Sequence, residues 1–66
     1  MEIYAEITKK QLRDIESGKL KIPDIEGVDI TNKKGTRGFF FDCEGQYSFE
    51  ATVEFLDSLA ISWQEN

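Results

Sequence analysis

Hydrophobic and polar positions alternate at the start of the chain, with Ile3, Ala5 and Ile7 on one side and Glu2, Tyr4 and Glu6 on the other. This period of two predicts a strand with one buried face. Thr8 and Gln11 then have the spacing of a capping box, and Ile7 and Leu12 occupy the two positions of a hydrophobic staple. A helix is predicted from Lys9. It should stop near Ser17, where Gly18 can adopt the left-handed conformation that closes a helix, and only Leu12 and Ile15 fall on its core side.

Leu20, Ile22 and Ile25 around Pro23 read as an irregular connector pinned by apolar anchors. Residues 28–31 alternate again and residues 38–43 are rich in aromatics, so the two segments predict a hairpin about the turn at 32–37. Residues 44–46 form a second turn. Residues 47–49 fit a very short strand or, the reading adopted here, a helix start capped by Ser48. From Phe49 onward a 100° spacing gathers Phe49, Thr52, Val53, Leu56, Leu59, Ala60 and Trp63 into one arc, predicting an amphipathic helix of four turns. The expected order is β-α-β-β-α. The expected fold is a small α+β domain spanning 1–66, with a largely antiparallel sheet of three strands, or four if 47–49 pair. Both helices should lie on one face, the second supplying most of the core.

Length and composition narrow the function classes. Sixty-six residues allow one core, and 39% hydrophobic content suits a packed domain rather than a disordered tail. A single cysteine forms no internal disulfide, which points to a reducing compartment, and a cytoplasmic location is expected. The sequence has neither a signal-peptide pattern nor an apolar run near the ~20 residues that span a bilayer, so no membrane association is expected.

The catalytic inventory is thin. Histidine is absent, removing the commonest general base and metal ligand. Cys43 lies between Asp42 and Glu44, whose charges disfavour a thiolate, so it reads as an inert thiol. The pairs Asp24/Glu26 and Asp42/Glu44 lack the glycine-punctuated spacing of a calcium loop. Neither a phosphate-binding glycine loop nor a zinc spacing is present, and no enzyme activity, cofactor or metal is expected. Lys33, Lys34 and Arg37 in the 32–38 loop offer three cations to a phosphate backbone, or simply keep a hairpin tip soluble.

Charge is the informative anomaly. The net charge is −5, and it is unevenly spread: residues 1–37 carry all eight basic groups against seven acids, whereas residues 38–66 carry six acids and no base. Glu50, Glu54 and Asp57 recur at i, i+4 and i+7 on the outer side of the second helix, a column of like charge whose neighbours repel by a few tenths of a kcal/mol per pair. Glu65 is expected at the end of that helix, where the dipole favours a cation, and Ile61 on its acidic side, outside the core arc. Two structural readings compete with function: a solubilising face, or a column paired internally with Lys9, Lys10 and Arg13. Sheet alternation also places Tyr4 and Phe40 outward, a second candidate surface.

These features predict a small acidic binding protein that inhibits or regulates a basic, nucleic-acid-handling protein partner by placing carboxylates where phosphates would sit. Glu50, Glu54 and Asp57 would carry the charge and Ile61 the apolar contact, with Asp42 and Glu44 as neighbours. In size and charge the chain is of the type of phage-encoded inhibitors of host defence, an analogy that rests on no shared motif. Two alternatives are a homodimer using Tyr4 and Phe40, and a weak nucleic-acid binder using Lys33, Lys34 and Arg37. Overall acidity disfavours nucleic acid.

Overall fold

A computed structural model describes residues 1–66. In chain order the elements are β1 (Glu2–Glu6), α1 (Lys9–Ser17), β2 (Val28–Thr31), β3 (Gly38–Cys43), α2 (Gln46–Ser58) and β4 (Ser62–Glu65). The four strands form one sheet in the order β2-β3-β1-β4, every neighbouring pair antiparallel. It follows that β1 and β2 run parallel with β3 between them, a split β-α-β arrangement.

The first half forms as its sequence dictates. The Thr8 hydroxyl accepts from the Gln11 amide at 3.1 Å, and the Gln11 side chain accepts from the Thr8 amide at 2.9 Å, so both arms of the capping box are made. Gly18 ends α1 at φ 86°. Leu12 and Ile15 are only half-buried, and α1 contributes no fully buried residue. Leu20, Ile22 and Ile25 are half-buried, anchoring the connector. The hairpin pairs Val28 with Cys43 and Thr31 with Phe40.

The second half corrects the expected order. α2 begins at Gln46, three residues before Phe49, so residues 47–49 are helical, in line with the helix start read from the sequence, and do not form the alternative short strand. Ser48 lies inside the first turn rather than at the cap; its Oγ accepts from the Gly45 amide at 3.0 Å. α2 also ends early, at Ser58. Ala60 takes φ 54°, its amide donates to Asp57 O at 3.0 Å, and the Ile61 amide donates to Leu56 O at 2.9 Å. That pair of bonds about a left-handed residue is a Schellman closure. Residues 62–65 then form the fourth strand, so the order is β-α-β-β-α-β, and Trp63 and Glu65 belong to β4 rather than to a helix.

The sheet, not α2, supplies most of the core. Ile3 and Ala5 from β1, Ile7 just beyond it, and Phe39, Phe41 and Cys43 from β3 are buried, joined by Leu56 of α2 and by Ile61. Buried Thr52 donates to Ser48 O at 2.9 Å, which satisfies its hydroxyl. The interior void is about 10 Å³, lined only by hydrophobic residues, too small for a ligand.

Candidate functional site

With both helices against one face of the sheet, the other face is open. Its side chains fall in rows set by the strand register. One row is Asp29, Asp42 and Glu2, each directly opposite the next on β2, β3 and β1. The adjacent row is Thr31, Phe40, Tyr4 and Gln64. Beyond it, Glu6 stands between Gly38 and Ser62. Like charges directly opposite on neighbouring strands destabilise a sheet, and three exposed carboxylates in register have no cation within 4 Å.

The aromatic row is built with care for its backbone. The Tyr4 ring lies over Gly38, where an added Cβ would come within 2.8 Å of the phenol oxygen and 2.9 Å of the ring. Tyr4 and Phe40 pack with centroids 5.0 Å apart at 52°, and Phe40 remains 39% exposed. The Tyr4 hydroxyl donates to Glu6 at 3.2 Å, and Glu6 pairs with Arg37 at 3.5 Å. The phenol is held above its ordinary value of 10.0, first by partial desolvation, then by the hydrogen bond to Glu6 and by that carboxylate's charge, with Arg37 pulling the other way.

The hairpin tip beside this row is ordered by Asn32, whose amide donates to Thr36 O at 3.1 Å and Gly38 O at 2.6 Å. Lys33, Thr36 and Arg37 thereby line one groove with Tyr4, Glu6 and Phe40. Lys34 is exposed at the same tip. The basic loop and the aromatic pair, far apart in sequence, are neighbours in space.

A second acidic surface lies where the connector meets the start of α2. Asp24, Glu26, Asp29, Asp42 and Glu44 line one shallow groove, and Glu26 and Glu44 line the next with Tyr47, which is 86% exposed. Glu44 is pinned there: its amide donates to Gly27 O at 2.8 Å, and its carboxylate lies 2.9 Å from where a Cβ on Gly27 would be. Gly27 has φ 79°, so glycine is needed for both conformation and space. Glu50 follows one turn into α2, accepting from Gln46 at 3.1 Å.

No family model matches the chain, and neither does a curated protein or a solved structure.

The expected site residues therefore divide. Glu50, Glu54, Asp42 and Glu44 are exposed as expected, and none is neutralised: the only ion pair in the chain is Arg37 with Glu6, so Lys9, Lys10 and Arg13 do not pair with the α2 column. Asp57 is exposed but accepts a hydrogen bond from the Trp63 indole at 2.9 Å, which gives it a structural partner. Ile61 must be withdrawn as an apolar contact: it is 7% exposed and belongs to the core, because α2 stops before it. Glu65 opposes no helix dipole, since it sits on β4 opposite Ile3. Asp24, Glu26 and Tyr47 were missed by sequence reasoning because only the fold brings the connector beside α2. Cys43 is buried, its thiol 3.7 Å from Phe41 O and from Thr52 Oγ1. No group of three ligating side chains could hold a metal ion, and no helix is long and apolar enough to cross a membrane.

Proposed function

We propose that this chain is a small non-enzymatic binding protein that occupies a basic surface on a nucleic-acid-handling protein, presenting Glu26, Glu44, Glu50 and Glu54 in place of phosphates. The observation that supports this reading is the lack of internal neutralisation: the chain holds 13 acidic residues and eight basic ones, yet only one ion pair forms, and it lies at the opposite end of the sheet from Glu44. Stability alone would favour lysines interspersed along α2 and around the groove. A partner rich in Lys and Arg supplies the missing countercharge and is steered to it at long range. Tyr47, standing exposed among these carboxylates, provides an aromatic contact of the kind that anchors protein interfaces. Inhibition follows from occupancy, because a surface filled by carboxylates is closed to a phosphate backbone.

The test is affinity capture from the native host extract with the immobilised chain, read by mass spectrometry, beside E50K/E54K and E26K/E44K variants shown to be folded by circular dichroism. The expected result is a basic protein captured by the parent chain, released by added duplex DNA and lost with either variant. Capture that is unchanged in both variants would overturn the reading.

A further inference from the structure

The open sheet face is polarised along its strands, and that polarity selects an occupant. At one end lie the carboxylates of Asp29, Asp42 and Glu2; in the middle lie Tyr4 and Phe40; at the other end lie Lys33 and Arg37, with Lys34 exposed on the same hairpin tip and Glu6 already engaged by Arg37. We infer that this face pairs with a second copy of the same chain about a two-fold axis that crosses the strands along the row of Thr31, Phe40, Tyr4 and Gln64.

A two-fold axis lying in the interface across the strands reverses strand direction but leaves each strand over its counterpart. The β2 carboxylate Asp29 of one copy then faces the Lys33 end of the other copy's hairpin, Asp42 faces Gly38 beside Arg37, and Glu2 faces Glu6, whose charge Arg37 already offsets within its own chain. Each contact occurs twice, as an isologous interface requires. An axis along the strands would instead set acid row against acid row. The aromatic row lies on the chosen axis, so Tyr4 and Phe40 meet their own counterparts and lose their remaining exposure, the usual arrangement of an apolar centre with a polar rim. Sheets stack face to face in this way about 10 Å apart.

A single-stranded nucleic acid stacked on the same aromatics is the competing occupant. It would have to lay its phosphates across or beside three unneutralised carboxylates, whereas the second copy uses both ends of the face. Four strands at about 4.8 Å and outward residues about 6.8 Å apart make a face of roughly 300 Å², below the ~800 Å² per partner of a standard interface. The pairing is therefore weak, concentration-dependent and salt-sensitive. It engages Asp29 and Asp42, which share a groove with Glu26 and Glu44, but leaves Glu50 and Glu54 of α2 free, so a dimer displays two acidic helix faces, and this inference does not depend on the proposed partner.

The deciding experiment is sedimentation equilibrium of the purified chain over a wide concentration range at low and high salt, with two charge-reversed variants. D29K/D42K makes both ends of the face basic; K33E/K34E makes both ends acidic. The expected result is that the parent chain approaches dimer mass at high concentration and low salt, that each variant alone remains monomeric, and that an equimolar mixture of the two regains dimer mass. A parent chain that stays monomeric throughout, or a mixture that does not associate, overturns the inference. So does a monomer that binds a labelled single-stranded oligonucleotide and loses it in Tyr4→Ala or K33E/K34E.

Discussion

The amide of Ile61 donates to the carbonyl of Leu56 at 2.9 Å, and both side chains are buried together. This contact turns the chain out of α2 and into β4. The residue that makes the turn, Ala60, holds φ 54°, a conformation that costs an L-residue about 1–2 kcal/mol and glycine almost nothing. Ala60→Gly is expected to stabilise the fold by about 0.5–1 kcal/mol after the added unfolded-state entropy of glycine is subtracted. A rise in urea midpoint with unchanged slope would bear this out; a fall would mean that the methyl group contributes packing that outweighs the strain.

Trp63 and Asp57 illustrate the same junction from the side-chain level. The indole donates to Asp57 at 2.9 Å and stands edge-on to Phe49 at 6.2 Å. Trp63→Phe should cost about 1 kcal/mol through the lost hydrogen bond, more if the smaller ring leaves a gap against Phe49. Asp57→Ala removes the same bond but also removes a carboxylate from the last turn of a helix, where it opposes the dipole by about 0.3–1 kcal/mol. The alanine variant is therefore expected to be the milder of the two in chemical denaturation, and a reversed ranking would count against the bond as the main link.

Tyr4 should report its surroundings by titration. In a Tyr47→Phe background it is the only remaining tyrosine, and its phenolate absorbance should appear above the ordinary value of 10.0. Glu6→Gln is expected to lower the midpoint, and Arg37→Ala to raise it, since Arg37 favours the charged form. A phenol whose folded pKa is raised retains its proton in the native state after the unfolded chain has lost it. Its stabilising contribution is thus complete below about pH 10 and is lost as pH rises through the folded value. A midpoint that ignores both substitutions would show that the ring does not rest between Gly38, Phe40 and Glu6.

What the sequence displays and what it hides follow from where each signal is stored. β1, α1 and the hairpin carry local signals: alternation, a complete capping box, Gly18, and two β-rich segments flanking a turn. α2 carries a strong helical period, but the period continues past the point where the helix ends, and the stop is an alanine rather than a glycine. With no local mark at Ala60, Ile61 falls outside the helical arc and reads as exposed, although the turn carries it into the core. Carboxylate positions along α2 were legible because helical spacing is local. The acid row of Glu2, Asp42 and Asp29 was not, because it depends on the register of three strands from separate parts of the chain. The missing ion pairs were equally invisible: a sequence shows which charges exist, and only the fold shows which of them meet.

The sheet order has a consequence for how the molecule folds. β1 is an interior strand, yet one of its two neighbours, β4, consists of Ser62–Glu65, so Ile3, Ala5 and their backbone amides lie beside an open edge until a segment distant along the chain pairs with them. Pairings this distant along the chain form late and slowly. Closing that edge is therefore the slow step of assembly, and β1 stays open to other strands until β4 arrives.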